Sequence, residues 1–132
     1  MATIQSFING LYTVMYNRVA DNSGYSYWLS ANAASSTNIT DAQAQALAVS
    51  FKSTQSTYFD AQYGSQSDTN FITSLYTNLG GNALISGSDL VYWQTKLANF
   101  AGDRAKLAGQ FTQEFLNYAG TDASALARQN AF

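Results

Sequence analysis

Asp21, Asn22 and Ser23 stand side by side in the stretch Arg18-Val-Ala-Asp-Asn-Ser-Gly-Tyr-Ser-Tyr-Trp28. Three oxygen-bearing side chains in a row are the kind of ligand a calcium ion takes. A calcium loop of the helix–loop–helix type also needs several carboxylates and a closing Glu at its twelfth position. Counted from Asp21, that position is Asn32, and the loop carries one carboxylate. A second oxygen cluster, Ser86-Gly-Ser-Asp89, again has one. Calcium held by Asp21, Asn22, Ser23 or Asp89 is therefore the only cofactor these residues suggest, and the ligand charge it needs is missing. The plainer reading of the first stretch is a bend between helices, with Asn22 or Ser23 capping the second helix and Arg18 pairing with Asp21 across the turn.

Other chemistry finds less to work with. The chain has no histidine and no cysteine, so the commonest general base, metal ligand and thiol nucleophile are absent. Eight carboxylates are spread from Asp21 to Asp122. A glycosidase would need two of them facing each other at roughly 5–10 Å, and no spacing singles out such a pair. No nucleophile elbow, phosphate loop or zinc motif occurs. The expectation is a protein that is not an enzyme.

The aromatic residues are more suggestive. There are nine Tyr, eight Phe and two Trp. Tyr27-Trp28 and Tyr92-Trp93 could form a platform on which sugar rings stack, or Trp28 and Trp93 could be core anchors. Core use carries more weight, because buried aromatics dominate packing energy. Tyrosines near turns or helix ends remain for a ligand: Tyr16, Tyr25, Tyr63 and Tyr118. With Asn17, Arg18 and Asn117 they could meet a neutral polysaccharide.

The elements that must position these residues repeat. Phe7-Ile-Asn-Gly-Leu-Tyr-Thr13 is echoed by Phe71-Ile-Thr-Ser-Leu-Tyr-Thr77. Each is followed by Tyr-Trp, and then by a polar segment ending in aromatics: Leu47 to Gly64 and Leu107 to Gly120. Such self-similarity signals a duplicated supersecondary unit. Ile4, Phe7, Ile8, Leu11, Tyr12 and Met15 keep the i, i+3, i+4 rhythm of a buried helical stripe, as do Phe71, Ile72, Leu75, Tyr76 and Leu79. Leu47, Phe51, Thr54 and Tyr58 fall on one helical face. Thr40-Asp-Ala-Gln43 fits a capping box. Asp68 is a candidate N-cap and Gly80-Gly81 a candidate stop, while Thr121 or Asp122 could cap a last helix. No segment alternates with period two, so no strand is expected. The expected fold class is all-α: two tandem helical repeats sharing one core, with six to seven helices. Repeat one runs over about 1–64, repeat two over about 65–120, and a short C-terminal helix over about 121–132, all in a single domain over 1–132.

Composition limits the partners. Hydrophobic residues make up 46% of the 132, enough for a core, and charged residues only 11%, less than half the usual quarter. The surface must then be built from Ser, Thr, Asn and Gln. Net charge is −2 with six Lys plus Arg, so nucleic acid is not an expected partner. No apolar run approaches the roughly 18 residues of a membrane span, and no signal peptide is visible at the start. The chain is expected to be the N-terminal part of a longer protein.

The pattern Phe-Ile-x-x-Leu-Tyr, followed by Arg18-x-x-Asp21-x-x-Gly24-x-x-Tyr27-Trp28, resembles the repeat family known as domain of unknown function DUF4214. The whole arrangement is similar to the N-terminal region of Gram-negative S-layer proteins of the Campylobacter and Caulobacter type. The second copy departs from the pattern: Asn82 or Ala83 stands in place of Arg, and Gly87 lies six residues before Trp93 rather than four. The resemblance implies a helical, secreted protein on the bacterial cell surface that anchors a lattice to lipopolysaccharide O-antigen and leaves the cell by type I secretion. Its expected partners are cell-surface polysaccharide or lipopolysaccharide and neighbouring copies of the same protein. The alternative is a protein–protein assembly module.

Overall fold

The computed structural model describes residues 2–32, 38–80, 87–118 and 123–132. These form eight α-helices: α1 (Ile4–Tyr16), α2 (Asn22–Ala31), α3 (Asp41–Thr54), α4 (Ser56–Tyr63), α5 (Asp68–Asn78), α6 (Gly87–Asn99), α7 (Arg104–Leu116) and α8 (Ala123–Asn130). The fold is all-α, with no strand among the described residues; Thr3 and Asn38 form one isolated bridge.

Local chemistry sets most of the boundaries. Thr3 caps α1 by accepting from the Ser6 amide at 3.1 Å, and α1 ends at Asn17, which takes a left-handed conformation (φ 51°, ψ 44°). The capping box at the start of α3 is complete: the Gln43 amide donates to the Thr40 hydroxyl, and the Thr40 amide to the Gln43 side chain. Asp103 caps α7. At α5 the cap is Ser67, whose hydroxyl oxygen accepts from the Asn70 amide. Asp68 is instead the first residue of that helix, and its carboxylate meets Arg104 at 2.8 Å. Gly80 has a φ of 75° just beyond α5, whereas Gly81, Thr121 and Asp122 lie outside the described residues.

The segment from Leu47 to Gly64 is two helices rather than one, which raises the count above the expected six to seven. Gln55 leaves helical geometry (φ −129°, ψ 36°) and separates α3 from α4. The sequence there is Ser-Thr-Gln-Ser-Thr, and the Ser53 and Thr54 hydroxyls donate back to carbonyls of their own helix, Val49 and Phe51. Such back-bonding competes with the helical ladder and bends it. The break changes which face points inward: Tyr58 becomes exposed, while Phe59 and Tyr63 are buried.

The helices gather around one cluster of buried residues drawn from α1 through α7. The most extensive contact is between α3 and α7. It depends on Gly109, where an added Cβ would lie 2.5 Å from the Ala44 carbonyl oxygen and 2.9 Å from the Ala48 Cβ. Both tryptophans are core anchors, Trp28 at 9% and Trp93 at 6% exposure. Each sits in the same arrangement of rings. Trp28 packs on Phe51 with centroids 4.4 Å apart, Tyr12 meets Phe51 edge-on at 5.0 Å, and Tyr27 meets Trp28 edge-on at 5.0 Å. Trp93 packs on Phe111 at 5.0 Å, Tyr76 meets Phe111 edge-on at 4.9 Å, and Tyr92 meets Trp93 edge-on at 4.9 Å.

Candidate functional site: an aromatic groove beside α2

The first ring set opens onto a groove of about 530 Å³ between α1, α2 and the α3–α4 break. Its base is Tyr12, Tyr16, Trp28 and Phe51, all buried; Tyr27 and Tyr58 stand at its edges, 60% and 51% exposed. Arg18, Asp21, Ser23, Thr54 and Gln55 supply the polar part of the lining. The break at Gln55 is what places Tyr58 here, edge-on to Tyr16 with centroids 5.4 Å apart. Gly24 belongs to the site as well. A side chain there would run into the Tyr12 hydroxyl and come within 2.5 Å of the Asp21 carboxylate, so only glycine lets α2 lie this close to α1.

The acidic bend is tied to itself. Arg18 approaches Asp21 at 3.8 Å, with both side chains more than half exposed, and its guanidinium lies 5.9 Å from the Tyr12 ring centre. The Ser23 hydroxyl donates to Asp21 at 2.9 Å. That bond, with help from backbone donors and Arg18, holds the Asp21 carboxyl below its ordinary range. Burial, reinforced by the Asp21 charge, pushes the Tyr12 phenol up. A pair this exposed and this long contributes little to stability.

The sequence candidates divide. Tyr16, Arg18, Asp21 and Ser23 all line the groove. Asn17 is exposed at the end of α1, and Asn22 is exposed at the first turn of α2. The residue capping α2 is Asp21 rather than Asn22 or Ser23. Tyr25 is half-buried against the core. Asn117 and Tyr118 lie at the end of α7, away from this lining. The Asn117 side chain accepts from the Ala2 amide at 2.7 Å, and the Tyr118 carbonyl accepts from Gln129.

Two of the tyrosines do a structural job. Tyr63 is 1% exposed. Its hydroxyl donates to the Met15 carbonyl and accepts from the Asn78 side chain, and burial pushes it up to about 12. Tyr16 is 6% exposed and donates to the Phe51 carbonyl at 3.1 Å, with burial again raising its pKa. The last carbonyls of a helix have no partner within it, and these phenols supply one for α1 and α3. Tyr63 does not reach the groove; Tyr16 offers it only a ring edge. A sequence signal for both existed: Tyr16 continues Ile8 and Tyr12 at steps of four, and Tyr63 lies four after Phe59. Tyr12, Gly24, Phe51, Thr54, Gln55 and Tyr58 are the groove residues that sequence reasoning did not propose as ligand contacts.

For calcium, no group of three or more acidic side chains gathers among the described residues. Asp21 is engaged with Ser23 and Arg18; Asp89 is exposed on α6, and Ser86 lies outside the described residues. No helix among the described residues is long and apolar enough to cross a membrane.

The second ring set is built differently at its edge. The Tyr92 hydroxyl donates to Glu114 at 2.5 Å, Gln110 donates to the other Glu114 oxygen, and Gln45 donates to Gln110. The Trp93 indole donates to the Tyr76 hydroxyl at 2.9 Å. Burial and the Glu114 carboxylate together push Tyr92 up to about 12.

The molecule is thus a helical domain with two matching ring sets, one of which opens on a polar, aromatic groove. Residues 48–118, more than half of the chain, match the family described as Domain of unknown function (DUF4214), and the chain belongs to that family. The matched stretch carries Phe51 and the whole second ring set, and ends before the C-terminal helix. No curated protein and no solved structure matches the chain.

Proposed function

We propose that this domain is a non-catalytic glycan-binding module of a secreted bacterial surface protein, and that it holds a sugar chain in the groove beside α2. The observation that carries the reading is the edge of that groove. Tyr27 and Tyr58 present exposed rings, and their hydroxyls make no hydrogen bond among the described residues. An aromatic face suits the C–H side of a pyranose, and free phenols beside Arg18, Ser23 and Gln55 suit its hydroxyls. The groove lining contains one carboxylate, Asp21, whereas two-carboxyl hydrolysis needs a facing pair; the reading is therefore of binding. In its specific form the ligand is lipopolysaccharide O-antigen, the parent is an S-layer protein, and the location is the bacterial cell surface.

The test is retention on whole cells. The domain should bind saturably to cells that carry O-antigen and not to cells that lack it. Tyr27→Ala and Tyr58→Ala should each weaken binding by about tenfold, the usual scale for an aromatic contact, with circular dichroism unchanged because both side chains are exposed. Equal retention on both cell types, or two variants that bind as well as the parent, would reject this reading.

A second reading, an assembly module between copies of the protein, is favoured by α6, where Val91 and Tyr92 are 60% and 44% exposed. It calls for concentration-dependent oligomers in sedimentation without any glycan. A strict monomer would eliminate it.

A further inference from the structure

Beside the aromatic groove lies a second pocket of about 420 Å³, formed by the outer face of α1, the α1–α2 connection and the end of α8. Arg18 lines both. The other polar side chains around it are Asn9, Thr13, Asn17, Asn78 and Arg128, and no Asp or Glu side chain is among the lining. From these residues we infer that the pocket binds an oxyanion, a sugar carboxylate or a phosphate monoester, carried by the same glycan. The identity of the ligand as a glycan rests on the function proposed above; the anion site itself does not.

Arg128 makes the argument. It is half-buried, and its Nε is buried without a hydrogen-bond partner among the described residues. The two ion pairs among the described residues are Arg18–Asp21 and Arg104–Asp68, so Arg128 has no carboxylate partner among them. Its guanidinium is held by packing instead: it lies beside Gly80, where an added Cβ would come within 3.6 Å of Cζ, and 5.8 Å from the Phe132 ring centre. A guanidinium has five N–H donors and no acceptor. Leaving a buried donor unmatched is costly, and a bound oxyanion removes that cost through paired N–H···O bonds. Arg18 shares the pocket and is paired only loosely, at 3.8 Å and more than half exposed. An anion between the two cations would turn mutual repulsion into attraction. The Asn78 amide nitrogen is already committed to Val14 and Tyr63. Asn17, exposed at its left-handed turn, has no side-chain bond among the described residues and can add a donor.

Because Arg18 belongs to both pockets, one ligand can occupy both. A neutral sugar unit would lie on Tyr27 and Tyr58, and an acidic unit would place its charge between Arg18 and Arg128. The experiment is a proton–nitrogen NMR titration of the whole chain, following the arginine Nε–H signals and the groove tyrosines. The probes are methyl glucuronide, inorganic phosphate and the uncharged methyl glucoside. The Arg128 signal should move saturably with at least one anion and not with methyl glucoside, and added salt should weaken the response. A response to glucuronide alone identifies the sugar carboxylate; a response to phosphate alone identifies the phosphate monoester. Arg128→Gln should weaken anion binding by about fivefold or more, the scale of one charge-assisted pair. Arg18→Gln, at an exposed position where folding is not at stake, should do likewise. Movement of the groove signals with no response at Arg128 would overturn this inference and leave the glycan reading intact. Movement at Arg128 with none in the groove would do the reverse. An anion that binds both variants as tightly as the parent would also overturn the site.

Discussion

Tyr63→Phe removes one oxygen from the interior and tests how the helix ends are satisfied. The Tyr63 hydroxyl donates to the Met15 carbonyl and accepts from the Asn78 side chain. Asn78 keeps a second bond, to the Val14 carbonyl at 2.8 Å, so the loss falls on Met15. A buried carbonyl deprived of its donor costs about 1–3 kcal/mol. Ring packing on Phe59 and Phe71, with centroids at 4.9 and 5.1 Å, is retained, so no cavity cost is added. For a chain of 132 residues that loss lowers Tm by roughly 4–11 °C, given an unfolding entropy of about 2 cal/mol/K per residue. Urea unfolding should show a lower midpoint at an unchanged slope. The pH dependence adds an independent check. Tyr63 is raised from 10.0 to about 12 in the fold, so its contribution is fully present below pH 10 and is lost as pH rises toward 12. The stability difference between parent and variant should therefore shrink across that window. A variant within 0.5 kcal/mol of the parent (about the size of an average surface change), or curves that stay parallel from pH 10 to 12, would refute the hydrogen-bonded role.

Three further perturbations probe the packing and the bend. Arg104 donates to the Tyr63 and Gln66 carbonyls and to Asp68, each at 2.8 Å, so Arg104→Ala should cost about 2–4 kcal/mol in urea unfolding. Arg104→Lys should recover less than half of that, because an ammonium cannot span the fork; full rescue by Lys would contradict the geometry. Gly109→Ala should destabilise by about 1–3 kcal/mol through overpacking against Ala44 and Ala48, even though alanine favours a helix by about 1 kcal/mol; a variant as stable as the parent would mean that α3 and α7 are not in such close contact. The Asp21 carboxyl should titrate below 3.8 by carbon NMR, and Ser23→Ala should move the midpoint back toward 3.8. The stabilisation it lends the bend is present above 3.8 and fades as pH falls through the lowered value; a midpoint at or above 3.8 would remove Ser23 from the account.

The parts of the molecule legible in the sequence are those set by short-range chemistry. Thr40 and Gln43 form their capping box, Trp28 and Trp93 anchor the core, and the Arg18–Asp21 pair closes the bend, because each depends on residues within one helical turn or on sheer apolar area. The candidate site was less legible, and Gln55 explains why. A continuous helix from Leu47 would carry Phe51, Thr54 and Tyr58 on one buried face. The Ser and Thr hydroxyls that interrupt the ladder turn Tyr58 outward and Phe59 inward. A hydrophobic pattern cannot show which of two competing hydrogen bonds the backbone will take. The hydroxyls of Tyr16 and Tyr63 illustrate a related point: a phenol near a helix end can face water or complete a neighbouring helix, as these two do, and that choice depends on tertiary contacts far away in sequence. The Arg18–Arg128 pocket joins residues about a hundred positions apart, beyond the reach of any local spacing.

The two ring sets differ at their edges, and only the first leaves its outer tyrosine hydroxyl unbonded among the described residues. Their tyrosines, tryptophans and phenylalanines match one for one, so packing alone would give each an equal opening. Two polar positions differ. Four residues before the tryptophan stands Gly24 in the first set and Asp89 in the second; three residues after the phenylalanine stand Thr54 and Glu114. Thr54 turns its hydroxyl back onto the Phe51 carbonyl of its own helix and leaves the Tyr27 hydroxyl without a hydrogen-bond partner among the described residues. Glu114 instead receives the Tyr92 hydroxyl and is held in place by Gln110, while the negative charge of Asp89 helps keep the Tyr76 phenol protonated, after burial and against the Trp93 bond. In the second set the donors at the edge are thus consumed by the protein. In the first they are left to the solvent or to a ligand. A ring arrangement that occurs twice can serve stability in both places and leave its edge open in one, with the difference resting on two side chains that the core does not need.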